Sequence, residues 1–279
     1  MKLRKTEGAI LCPGCRSLID ADEAECPHCG LKAPGLFGFG HVLADWFGGK
    51  RDLVAGVMIA CVALYGATLA LDWRGIGGGG FLSLLSPSTA ALYTFGMTGG
   101  DAWSQGHYWT VLTYTVLHGG LLHLAFNMMW LRNLGPTIVR ELGPARFVVA
   151  YFLTGGVAGL ASNLLGGYPT IGASGSIFGL MGVLLVFGRR RGGAWGQALA
   201  KQMALWAVLG GAFGFLMPNV NNAAHLGGAL AGVVLGFLLP RREGTAEGAG
   251  VRILALLLVA VTAVGMLASV ALMYPRWLG

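Results

Sequence analysis

The chain has 279 residues, of which 55% are hydrophobic and 11% charged, with 48 glycines, whereas ordinary soluble domains carry roughly 25% charged residues. So apolar a composition marks a membrane protein and excludes intrinsic disorder, a disulfide-rich secreted scaffold and a large soluble catalytic domain, because little chain remains outside the apolar runs. The 19 Lys and Arg against 12 Asp and Glu leave a net charge of +7, but the basic residues stand between apolar runs instead of along one face, which reads as topology and not as nucleic-acid binding.

Residues 1–30 differ in kind from the rest and hold four of the five cysteines. Cys12-Pro13-Gly14-Cys15 and Cys26-Pro27-His28-Cys29 form C-x2-C-x10-C-x2-C, two knuckles at the spacing of a zinc ribbon, with Gly14 and Gly30 suited to the tight turns. One structural Zn2+ on Cys12, Cys15, Cys26 and Cys29 is therefore expected, replacing the core that so short a segment cannot build. A cytoplasmic position would keep the thiols reduced. The purpose of this headpiece is open between docking of a cytoplasmic partner, regulation and stability alone. No apolar signal-peptide core occurs in this stretch, so it is expected to remain in the mature chain. Residues 31–50 are Gly/Pro-rich and read as a linker, and 51–279 as the membrane domain.

Seven apolar runs of transmembrane length follow, at 53–71, 119–138, 147–166, 172–188, 202–217, 222–239 and 252–273, with small residues at helical spacing that suit tight packing. With a cytoplasmic N-terminus, 12 Lys and Arg near the spans fall inside (Lys50, Arg51, Arg132, Arg140, Arg146, Arg189, Arg190, Arg191, Lys201, Arg241, Arg242 and Arg252) against Arg74 and Arg276 outside, a strong inside-positive bias. The C-terminus and the uncharged connections 164–171 and 217–222 then lie outside. If 81–97 also spanned, this bias would reverse, so it is assigned to a long outer loop, 72–118, lying along the interface with Trp73, Tyr93, Trp103, Tyr108 and Trp109 near headgroup level. A multi-pass protein of a bacterial inner membrane is expected.

Between Leu53 and Pro240 the acids are Asp72, Asp101 and Glu141, none in the middle of a span. This excludes a two-carboxylate protease, an H-E-x-x-H metalloprotease and a proton-coupled transporter with a mid-span acid. A polar set does gather at one depth, about 5–12 Å below the outer helix ends at about 1.5 Å per residue. His123 and Asn127 share a face of the second span, Ser174 opens the fourth, and His225 lies near the top of the sixth. A serine needs a base to become a nucleophile, and His225 fits that role for Ser174. With no carboxylate at hand the arrangement is a Ser–His dyad, and His123, Asn127 and the free N–H of Ser174 could stabilise an oxyanion. Gly228, Gly232 and Gly236 beside His225, and Gly175, Gly179 and Gly182 beside Ser174, would let the two helices approach. Phe178, one turn below Ser174, is placed to pack on the His225 ring. His118 is read as tying down the loop before the second span, and Cys61 as core.

The runs His118-Gly119-Gly120-Leu121-Leu122-His123-Leu124-Ala125-Phe126-Asn127, Gly172-Ala173-Ser174-Gly175-Ser176-Ile177-Phe178-Gly179 and Ala224-His225-Leu226-Gly227-Gly228 resemble those of the rhomboid intramembrane serine proteases, in order and spacing, over about residues 50–273. The resemblance implies an all-α bundle of six transmembrane helices, here with a seventh behind it. It implies cleavage of other proteins' transmembrane segments without a catalytic cofactor, with Ser174 as nucleophile, His225 as base, and His123 and Asn127 as oxyanion donors. Substrates would be single-span proteins of the lipid bilayer with small residues at the cut and a helix that unwinds there. Two departures stand out: Trp109-Thr110 where the family often has Trp-Arg, and only Glu141 near the acid common late in the second helix. The alternative is a catalytically inactive relative that binds client helices as an adaptor or chaperone; a small-solute transporter is the least supported reading, since neither an intramembrane charge nor a repeat favours it.

Overall fold

In the computed structural model the described residues are 4–40, 52–77, 83–217, 220–240 and 245–277. Residues 41–50 of the expected linker, the basic residues Lys50, Arg51, Arg241 and Arg242, residues 81 and 82 of the loop segment, and Pro218 and Asn219 of one connection lie outside them.

The headpiece is a hairpin of β1 (Ala9–Leu11) and β2 (Leu18–Asp20), antiparallel with Ile10 opposite Ile19. Its small core is Ile10, Cys12, Ile19, Ala21, Cys26 and Leu31. Residues 31–40 fold back on it, where the Lys5 N–H donates to the Gly38 carbonyl at 2.8 Å.

The membrane domain contains α1 (Leu53–Leu71), three short loop helices, α2 (Thr89–Thr94), α3 (Gly100–Ser104) and α4 (Thr110–Thr113), then α5 (Leu121–Leu142), α6 (Pro144–Leu165), α7 (Ser174–Arg191), α8 (Gly193–Leu216), α9 (Asn222–Leu238) and α10 (Ala249–Trp277). The long helices fall on the seven expected runs, but α8 begins nine residues early, at Gly193 instead of 202. Residues 193–201 carry Gly193, Gly196, Gln197 and Lys201 among their apolar residues, so an apolar-run criterion misses them although they hold no proline. Among the described residues α1, α6, α8 and α10 are long and apolar enough to cross a membrane on length and composition alone. His123, Asn127, Arg132 and Asn133 in α5, the three arginines ending α7 and the 17 residues of α9 keep those three below that mark.

Segment 83–97 does not span. It turns into α2, whose Ala91, Leu92, Tyr93 and Thr94 are buried, and it packs with Met97, Ala102 and Met273 into a satellite core.

α7 is the centre of the bundle, flanked by α6, α8 and α9. Along α7 and α9 a Cβ on Gly228 would meet the carbonyl of Gly175, and one on Gly232 the carbonyl of Gly179. Backbone therefore rests on backbone, which only hydrogen as a side chain permits. The same contact brings the first turn of α7 to the first turn of α9.

Candidate active site

Ser174 is the first residue of α7, behind Gly172 at φ +115°, a left-handed backbone that suits glycine. A Cβ there would also lie 2.6 Å from His123 Nε2, so the glycine admits the imidazole against the turn. The Gly172 N–H donates to the Tyr114 carbonyl at 3.0 Å. The Tyr114 hydroxyl in turn donates to the Gly155 carbonyl of α6 at 2.8 Å. The loop and α6 thus hold the turn that presents the serine.

His225 sits in the first turn of α9. Asn221 caps that turn, its carboxamide oxygen accepting the Ala224 N–H at 3.0 Å, and its Nδ2 donates to Ser162 Oγ (2.6 Å) and Thr170 Oγ1 (2.8 Å). Across the α7–α9 contact, His225 Nε2 is 2.9 Å from Ser174 Oγ. The other ring nitrogen, Nδ1, is buried with no hydrogen-bond partner among the described residues. Among the described residues no carboxylate meets the ring; Phe178 is stacked on it with centroids 4.3 Å apart and planes 13° from parallel. Gly210 of α8 leaves room for Phe178, since a Cβ there would come 2.9 Å from the ring.

His123 Nδ1 accepts the Gly119 N–H at 3.4 Å, which puts the ring proton of the neutral imidazole on Nε2, the nitrogen beside Gly172. Asn127 is buried and uses one amide proton on the His123 carbonyl at 2.7 Å. His123 Nε2 lies beside Gly172, two residues before Ser174, and the N–H of Ser174, at a helix start, has no partner within its own helix. Among the described residues neither ring nitrogen of His118 has a partner at good hydrogen-bond geometry, and the ring packs edge-on against His123, centroids 5.3 Å apart.

A buried polar net behind the dyad was not legible as such. Asn163 Nδ2 reaches Thr98 Oγ1 at 3.0 Å, Thr110 Oγ1 reaches the same atom at 3.1 Å, and Ser162 and Thr170 share a hydroxyl contact of 2.8 Å. Asn221 carried a readable signal, an amide one position before an apolar helix; the Ser and Thr partners carried none. Thr110, in the place where the family resemblance would put arginine, is fully buried and also donates to the His107 carbonyl at 2.7 Å. Trp109 is anchored by the seventh long helix, its indole N–H donating to Ser269 Oγ at 2.9 Å. Glu141 accepts from Arg191 at 2.6 Å and from Arg140 at 2.9 Å, tying the far ends of α5 and α7. Cys61 is buried in the core, as expected.

The second candidate site is in the headpiece. The four sulfurs of Cys12, Cys15, Cys26 and Cys29 lie within 4.8 Å of one another, able to hold a metal ion, with Cys12–Cys29 and Cys15–Cys26 separations of 3.7 Å. A tetrahedron with metal–sulfur bonds of about 2.3 Å has edges of about 3.8 Å. The Gly14 N–H points to Cys12 Sγ at 3.3 Å, and a Cβ on Gly14 would come 3.0 Å from Cys29 Sγ. Gly14 is thus required for space, while the left-handed turns fall on Arg16 and Gly30.

Among known proteins, the sequence model of the Rhomboid domain matches residues 105–242. The chain is 33% identical over 182 residues to the rhomboid protease GluP of Bacillus subtilis, covering 65% of this chain and 36% of that protein. A second protein of that organism, YdcA, named for the same family, is 33% identical over 142 residues, half of this chain and 71% of that one. RHOMBOID-like protein 5 of Arabidopsis thaliana is 36% identical over 161 residues, 56% of this chain and 52% of that protein.

Proposed function

The chain belongs to the rhomboid family, and from that premise we propose that it is an intramembrane serine endopeptidase that cuts transmembrane segments of other proteins with a Ser174–His225 dyad. The observation that carries this reading is the 2.9 Å contact between His225 Nε2 and Ser174 Oγ. The same contact favours a protease over an inactive adaptor, which has no use for a base at hydrogen-bond distance from a hydroxyl. His225 takes the hydroxyl proton as Oγ attacks a substrate carbonyl carbon. The carbonyl oxygen becomes an anion facing His123 Nε2–H, the Ser174 N–H and Asn127. The tetrahedral adduct collapses as His225 returns the proton to the leaving amine, and the acyl-enzyme is hydrolysed by water with His225 again as base. No catalytic cofactor enters these steps. The substrate helix must unwind locally, because helical carbonyls are already hydrogen-bonded.

In this reading the dyad lies near the outer face of a bacterial inner membrane, with the N-terminus in the cytoplasm and the C-terminus outside. Arg140, Arg146 and Arg189 to Arg191 stand at the helix ends opposite Ser174, which agrees with inside-positive charge. The four cysteines bind one structural zinc. A cytoplasmic partner would find Leu11 and Leu18 exposed on the hairpin.

The test is incubation of detergent-solubilised protein with a single-span reporter, fragments read by mass spectrometry. Wild type should yield a new fragment, and Ser174→Ala or His225→Ala none, with both variants eluting as folded protein. Cleavage at the wild-type rate by either variant would sink the dyad.

A further inference from the structure

His225 Nδ1 and the side-chain oxygen Oδ1 of Asn222 are both buried, and neither has a hydrogen-bond partner among the described residues. Asn222 opens α9 and His225 follows three positions later, a spacing that puts two side chains on one helix face with Cβ atoms about 5–6 Å apart. The two unsatisfied atoms are complementary. For His225 Nε2 to accept from the Ser174 hydroxyl, 2.9 Å away, the proton of the neutral imidazole must sit on Nδ1. That nitrogen is then a donor without an acceptor, and an amide oxygen can only accept. Leaving both unpaired in the interior carries a desolvation penalty on each.

α8 walls in the pair. A Cβ on Gly214 would meet Asn222 Oδ1 at 2.3 Å, and one on Gly210 would meet the Phe178 ring at 2.9 Å. Positions 210 and 214 lie one turn apart on α8, and Phe178 is stacked on the His225 ring. The Asn222 amide and the Phe178–His225 stack therefore pack on the same strip of α8. Asn221 cannot serve in place of Asn222, because its oxygen accepts the Ala224 N–H and its Nδ2 is spent on Ser162 and Thr170.

We propose that Asn222 is a positioning residue for His225: its Oδ1 accepts from Nδ1–H, by a side-chain rotation within the first turn of α9 or across one water. The bond fixes the tautomer that leaves Nε2 free to take the serine proton. When His225 becomes imidazolium, the amide oxygen faces the positive ring, the task a carboxylate performs in a three-residue arrangement. The two atoms are not bonded to each other in this structure, and catalytic hydrogen bonds often tighten only when substrate binds. The proposal rests on the protease reading of Ser174 and His225.

The test uses the full chain in detergent with the single-span reporter, cleavage by wild type and its loss in Ser174→Ala being established first. Asn222→Leu, which keeps the volume and removes the acceptor, should lower kcat on the order of 10- to 100-fold at unchanged KM and with a thermal midpoint close to wild type. Asn222→Asp, which keeps an acceptor oxygen in place, should restore most of the lost kcat. Nitrogen NMR of labelled histidines, with His225 assigned from the His225→Ala spectrum, should place the wild-type proton on Nδ1 and show a mixture of tautomers in Asn222→Leu. If Asn222→Leu does not fold, Gly214→Ala, whose Cβ would displace the Asn222 oxygen, should lower kcat in the same direction. Wild-type kcat and an unchanged His225 tautomer in these variants would overturn the positioning role while leaving the dyad standing. Equal losses of kcat in Asn222→Leu and Asn222→Asp, together with a fallen midpoint in both, would overturn it in favour of a purely structural role. Cleavage by Ser174→Ala at the wild-type rate would overturn the protease reading itself, and that failure shows before any Asn222 variant is measured.

Discussion

His225 has no acid behind it, so its ring is held by packing, and packing of this kind has a measurable size. A stacked aromatic pair contributes about 0.5–1.5 kcal/mol beyond its area. Phe178→Ala should therefore lower kcat roughly 2- to 12-fold with Ser174 and His225 intact, as read from initial rates on the reporter. His123 is predicted to matter more, because a lost oxyanion donor costs about 10²–10³ in kcat. His123→Ala should show that loss at unchanged KM; a fall below threefold would remove it from the oxyanion role. Ser174, His225, His123 and Asn127 were readable because a nucleophile, a base and amide donors are rare inside a membrane and stood at one depth. Their supporters Thr98, Thr170 and Ser162 were not, because a single hydroxyl in an apolar run gives no hint of which distant atom it faces.

Helix contacts decide whether the side chains of Ser174 and His225 meet at all. The Gly228–Gly175 and Gly232–Gly179 approaches leave no room for a side chain, and overpacking such a contact costs about 1–3 kcal/mol. Gly232→Val should lower the thermal midpoint and abolish cleavage by parting Ser174 from His225; a variant with wild-type midpoint and rate would refute the role given to this contact. α8 is held differently. It leans on α7, and towards α5 it makes an edge-to-face contact between Trp206 and Trp130, centroids 4.1 Å apart. Trp206→Ala should remove this contact and cost about 0.5–1.5 kcal/mol, seen as a fall in thermal midpoint. The seventh long helix supports the loop through Ser269, so Ser269→Ala should cost about 1 kcal/mol, seen as a small fall in thermal midpoint. The spans were legible from apolar runs and punctuation, whereas the early start of α8 and the buried α2 were not. In both, the helix is set by what it packs against and not by its own hydrophobicity.

Across the whole molecule, the four-cysteine headpiece and the Ser174–His225 pair belong to separate parts of the chain, the first built on β1 and β2 and the second on α7 and α9. Chelation should therefore unfold the headpiece and leave the bundle's helicity in place, which far-ultraviolet circular dichroism and the zinc content of a four-Cys→Ser variant would check. Loss of most of the helical signal on chelation would contradict this division. The sequence by itself determined the membrane class, the order of the long helices, the four-cysteine cluster and the candidates Ser174 and His225, since composition, periodicity and short spacings are local properties of the chain. Only the tertiary structure decided that Asn221 joins Ser162 and Thr170 and that Thr110 and Ser269 brace the outer loop. Each of those depends on which of many like residues become neighbours when helices far apart in sequence pack, and no local pattern encodes that choice.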